Sequence, residues 1–293
     1  RIYHRALLIP MNGLNEILAH YENWEKSKSR ELANKLIPEQ ERHFKATANV
    51  YHKKKKYHEP LKCELHSIEQ GGFDSLHRWR LFIEFEKTNP LGASPEILKS
   101  YVVYAYRCAL MSLQYCSILW HEYAQYLVSI DESNEAIDVY KKAIHIFPKN
   151  LMLNFTYAEL LESRKRSSEA RELYQQLIEQ SRENPSDFTL AAILYLQFLQ
   201  RTEGPISMRK EFMKLMQAES CTYHLYFAMA KIENNVNVNR DAAIKIITLA
   251  AQKYGDDNSF QEKVIKRLID MNAEEEVLTI LENNQTKLSK ESK

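Results

Sequence analysis

Glycine is scarce in this chain, six in 293 residues, and proline numbers only eight. Ordinary usage is about 7% and 5%. Tight hairpins and bulges consume glycine, so many-stranded folds are disfavoured and helices are expected. No apolar run approaches the roughly 18 residues of a membrane-spanning helix, so none is expected. No signal-peptide pattern opens the chain, and "RIYHRAL" from Arg1 reads as the middle of a longer polypeptide. An excess of one charge is missing too: forty basic and thirty-nine acidic side chains leave a net +1. That balance supplies no global field for nucleic acid or anionic lipid, although it allows a local patch. The four cysteines, Cys63, Cys108, Cys116 and Cys221, contain no C-x-x-C pair and are too sparse for a disulfide framework. Reduced thiols in an intracellular protein are the expectation. There is no G-x-S-x-G, no glycine-rich phosphate loop and no H-E-x-x-H. His43, His52 and His58 share a segment without a cysteine or acid at ligand spacing. We therefore expect no catalytic residue, metal, cofactor or small-molecule substrate.

What the chain does contain is a repeated aromatic frame. In "HRWRLFIEFEKTNPL", Trp79, Phe82 and Phe85 sit three apart and Glu86 follows. Steps of three keep side chains on one side of a helix with a slow drift around it. The frame recurs as Trp120/Tyr123/Tyr126, Phe155/Ala158/Leu161-Glu162, Ala192/Tyr195/Phe198 and Tyr226/Met229/Ile232-Glu233, and upstream as Leu18/Tyr21/Trp24-Glu25. From Trp79 the steps are 41, 35, 37 and 34 residues. A second frame, a large residue with a small or apolar one three later, lies between the copies. It reads Tyr3/Ala6, Tyr106/Ala109, Tyr140/Ala143 and Tyr174/Leu177, with weaker copies at Met213/Met216 and Ile247/Ala250.

This rhythm predicts helix pairs, A then B. One hairpin cannot bury both its faces, whereas stacked neighbours can, and a large residue on one helix needs a small one opposite. Breaks fall at Asn89-Pro90, Pro148 to Asn150, Asn184-Pro185, Gly204-Pro205 and Gly255-Asp256, and Ser94-Pro95 reads as a helix start. The expected fold is all-α: an α-solenoid, a superhelix of antiparallel helix pairs. Residues 28–58 read as one or two charged helices with Pro38 as a kink or an interior start. The expected organisation is an incomplete N-terminal piece over 1–58, a connector over 59–76, a main array over 77–282 and a polar tail over 283–293.

Two sharper readings of the frames are set aside. Rings that recur every repeat are packing rather than a ligand pocket. Glu86, Glu162 and Glu233 lie tens of residues apart with no partner acid recurring beside them, so capping or cross-helix bonding fits better than acid–base chemistry. Two stretches remain candidates for surface contacts. Lys53, Lys54, Lys55 and Lys56 form the one dense basic run, read as a solvated helix end or as a contact for RNA phosphate or an acidic partner. Tyr223, Tyr226 and Phe227 cannot all face one core from adjacent positions, so part of this cluster is a candidate dimer interface.

Aromatic A helices ending in Glu, with Tyr-x-x-Ala B helices, resemble the HAT (half-a-TPR) repeat. Several longer strings occur in one order: "RIYHRALLIPMNGLNEILAHYENWE", "WRLFIEFEKTNPL", "LWHEYAQYL", "YAELLESR", "YLQFLQRTEG" and "KYGD". In that order they resemble the HAT-repeat large subunit of the cleavage stimulation factor, the suppressor-of-forked family, over most of residues 1–256. The resemblance implies a HAT/TPR-like array and a nuclear, non-catalytic scaffold of pre-mRNA 3′-end cleavage and polyadenylation. It implies a homodimer formed through the C-terminal array, with other processing subunits as partners and RNA reached indirectly. Departures are visible. The first repeats are absent, the link after Tyr126 is short, the family's Pro-rich stretch and C-terminal segment are missing, and Phe260–Leu281 matches poorly. A different HAT protein of splicing or ribosome assembly would share the frames but not the intervening strings. A prenyltransferase α-chain would carry a Trp-rich repeat not seen here.

Overall fold

The computed structural model describes residues 2–59, 61, 72–255 and 258–281. Cys63, most of the 59–76 connector and the 283–293 tail lie outside the described residues. Within them the chain is all-α, an α-solenoid of antiparallel helix pairs with no strand. It divides into two compact units, Arg1–Ile146 and Phe147–Lys293.

In the first unit, α1 (Ile2–Ala6) and α3 (Arg30–His58) pack on α2 (Leu14–Lys28). Two hairpins follow: α4 (Gly72–Lys87) with α5 (Pro95–Ser112), and α6 (Ser117–Ser129) with α7 (Ser133–Ile146). Helix α4 begins at Gly72, so residues 72–76, expected as part of a connector, are helical. The 28–58 segment forms a single helix that runs through Pro38. In the second unit the pairs are α8 (Leu151–Ser163) with α9 (Ser167–Gln180), α10 (Pro185–Thr202) with α11 (Pro205–Leu215), and α12 (Tyr223–Asn235) with α13 (Arg240–Lys253). Helix α14 (Asn258–Asp270) packs on α13, and residues 274–281 are helical.

Local chemistry explains these boundaries. Pro95, Pro185 and Pro205 each occupy the first turn of a helix, where the missing N–H costs nothing. Asn150, Asn184 and Asn239 cap α8, α10 and α13 through their side-chain oxygens. Ser94 precedes α5 without making that bond. The A-to-B turns explain the shortage of glycine. Asp131, Lys165 and Asn272 adopt left-handed φ of 62°, 60° and 53°. The next residue's N–H then reaches back to Leu127, Leu161 and Leu268 at 2.9 Å in each case. This is the helix-ending motif usually given to glycine.

The frames supply the core. Trp79, Phe82, Tyr123, Tyr195, Phe198 and Tyr226 are buried, as are Tyr106, Ala109, Tyr140, Ala143 and Tyr174. Trp120 is 9% exposed, while Phe85, Tyr126 and Phe155 are half-buried. Each three-residue step falls about 60° short of a full turn, so one ring of a triple drifts to the rim. At two places the register differs from expectation. Trp24 is 47% exposed, and α2 buries Leu14, Tyr21 and Glu25 instead. Met213 is 52% exposed, and α11 buries Phe212 and Leu215, one residue earlier than the Met213/Met216 frame. Methionine and phenylalanine adjacent on a helix leave composition unable to choose between them. Met213→Ala is accordingly expected to change stability by less than about 0.5 kcal/mol. A denaturant midpoint implying a larger loss would return Met213 to the core.

Candidate protein-interaction surface

The glutamates that close three frames are held by cations from other helices. Arg209 of α11 donates from Nε and Nη2 to the two carboxylate oxygens of Glu233 at 2.7 Å each, and Asn237 Nδ2 adds a third bond at 3.0 Å. Glu233 has no exposed surface. Burial alone would raise its carboxyl, but the Arg209 and Asn237 bonds outweigh burial and hold it below the ordinary carboxylate value. Glu162 of α8 receives Arg201 of α10 at 2.7 and 2.8 Å. Glu86 of α4 pairs with Lys54 of α3 at 2.5 Å. Each acid is occupied by a basic side chain from another helix, which suits staples between helices rather than proton transfer.

Lys54 is therefore not free surface charge. Its ammonium also lies 5.4 Å from the Phe82 ring and 5.7 Å from the Tyr101 ring. Lys55 pairs with Glu59 at 3.0 Å. Lys53 and Lys56 are exposed and make no ion pair among the described residues.

The tyrosine cluster turns inward. Tyr226 is wholly buried, its phenol pushed up to about 12 by burial, and offers no surface to a second chain. Tyr223 and Phe227 are half-buried against Phe260 of α14, with ring centroids 4.8 and 5.6 Å away. The reason adjacent aromatics could all pack is that α12 faces both α13 and α14. Phe260 is the residue that sequence reasoning missed; its poor fit to the frames hid an anchor with 0% exposure.

Open surface remains elsewhere in the first unit. A groove of about 860 Å³ runs beside α5, α6 and α7. Leu110, Met111, Trp120, Tyr123 and Val139 line its floor, with Arg107, Lys141 and Lys142 along it. Met111 is 76% exposed there. Among the described residues no three His, Cys, Asp or Glu side chains gather as metal ligands, and no helix is long and apolar enough to cross a membrane. Cys108, Cys116 and Cys221 are free thiols.

Stacked antiparallel pairs, with aromatic A helices stapled by Glu–cation pairs, define the class: tandem helix-pair repeats of the HAT kind. The family model described as "Suppressor of forked protein (Suf)" matches residues 1–293, and the chain belongs to that family. It is 33% identical over 234 residues to "Cleavage stimulation factor subunit 77" of Arabidopsis thaliana, covering 78% of this chain and 31% of that protein. It is 23% identical over 323 residues to "mRNA 3'-end-processing protein rna14" of Schizosaccharomyces pombe, covering 96% and 44%. Against "Protein suppressor of forked" of Drosophila melanogaster it is 21% identical over 308 residues, covering 87% and 40%. A solved structure titled "Crystal structure of CstF-77" aligns with TM-score 0.65 at 19% identity, over 96% of this chain and 59% of that one. The last likeness is one of fold. The chain spans less than half the length of these three curated relatives.

Proposed function

We propose that the chain is a non-catalytic scaffold of the nuclear pre-mRNA 3′-end cleavage and polyadenylation machinery. It homodimerises through the helix pairs of residues 77–282 and holds other processing subunits, while residues 1–58 close a preceding half. The observation that carries this reading is how the recurrent residues are used. Rings and carboxylates at frame positions are spent on holding helix to helix, which leaves the surfaces of the pairs as the working parts. The names of the relatives supply the process. Dimerisation doubles every docking site and raises avidity through effective concentration.

At micromolar concentration the 293-residue chain is expected to sediment at twice its own mass. A single species at the monomer mass argues against the dimer. Co-purification from nuclear extract with splicing or ribosome-assembly factors, and none of 3′-end processing, would replace the assignment of process.

A further inference from the structure

We propose that the outer face of α3 is a binding site for the phosphate backbone of single-stranded nucleic acid. The chain as a whole is neutral, yet from Arg42 to His58 this helix contains no acidic residue. Helical geometry of about 100° per residue places Arg42, Lys45, His52, Lys53 and Lys56 within a sector of about 100°, with only uncharged Asn49 between them. All five are exposed, and none forms an ion pair among the described residues. At 1.5 Å per residue the stripe is about 21 Å long. That length follows several consecutive phosphates.

The dense lysine run therefore divides in two. Lys54 and Lys55 turn to Glu86 and Glu59, while Lys53 and Lys56 continue a row begun about two to three turns earlier by Arg42 and Lys45. The row carries no apolar side chain to seat the anchors through which peptides are gripped. Nor does it offer a free stacking ring, because neighbouring Tyr57 already stacks on Phe85 at 4.9 Å. What remains is a line of flexible cationic donors, which suits a phosphodiester chain read by charge and not by base. The site needs neither dimerisation nor any named protein partner.

The test measures binding of the 293-residue chain to a labelled single-stranded RNA of about 15 nucleotides, by anisotropy, across a range of salt. Contacts to single strands contribute about 0.7 each to the slope of log affinity against log salt. The variant Lys45→Gln/Lys53→Gln/Lys56→Gln is expected to melt as wild type does, to lower the slope by about 2, and to bind at least tenfold more weakly at about 0.1 M salt. A scrambled RNA is expected to bind equally. The charge-matched control Lys141→Gln/Lys142→Gln/Lys149→Gln is expected to bind as wild type. Absence of RNA binding by wild type, an unchanged slope in the α3 variant, or an equal loss in the control would overturn the proposal. So would loss of binding to a polyglutamate peptide with RNA affinity intact, which would give the face to an acidic protein.

Discussion

Replacing Arg209 by Met is expected to destabilise the 147–293 unit by about 3 kcal/mol at neutral pH. Severing a buried pair costs roughly 3–5 kcal/mol when a charge is left behind without compensation. Here the residue left behind is Glu233, which has no exposed surface, and two of its three bonds come from Arg209. The lower end of the range applies because the Arg209 side chain is 42% exposed and partly screened by solvent.

The effect carries a pH signature. The Glu233 carboxyl is held below its ordinary value in the folded chain. Its contribution is thus fully present above the unfolded glutamate value, about 4.3, and is lost as pH falls through the folded one. In the variant, burial without the guanidinium raises that carboxyl, so acidification neutralises a charge that was costing stability. The gap between wild type and variant should therefore narrow as pH drops from 7 toward 4. Denaturant titrations at several pH values read this directly. A gap that stays constant or widens would show that Arg209 acts by packing rather than through the carboxylate.

Trp79→Ala is expected to cost about 3–5 kcal/mol, the range for truncating a buried aromatic side chain to a methyl. Trp79 is 2% exposed and meets Phe82 edge-on with ring centroids 6.1 Å apart. Its indole N–H has no acceptor among the described residues. Trp79→Phe keeps most of the ring volume and removes that unpaired donor, so it is expected to cost less than about 1.5 kcal/mol. Equal losses for the two variants in equilibrium unfolding would mean that the part of the indole that phenylalanine lacks, and not a ring of roughly that size, holds the site together.

Much of the fold was legible because its causes are local. Proline at a helix start, asparagine at a cap and rings three apart act within one or two turns, and α5, α8 and α10 begin where those signals stand. Legibility ended where two residues of similar character compete. Met213 and Phe212 are both large and apolar, and only the neighbouring α10 and α12 decide which one points inward. The left-handed turns at Asp131 and Lys165 escaped notice for the opposite reason, since those residues reach that conformation without the glycine that would signal it.

The candidate surfaces divide in the same way. Four consecutive lysines look alike in a string, and the recurrent glutamates show no partner nearby. Lys54 meets Glu86 across 32 positions, Arg209 meets Glu233 across 24, and Arg201 meets Glu162 across 39. By itself the amino-acid sequence determined that this is an all-α array of paired helices, where several of those helices begin, and which family it resembles. Short-range sterics, capping and helical periodicity are written residue by residue. The tertiary structure alone decided which charges are spent inside and which face outward, because an ion pair needs two side chains within 4 Å, and their separation along the chain says nothing about that distance.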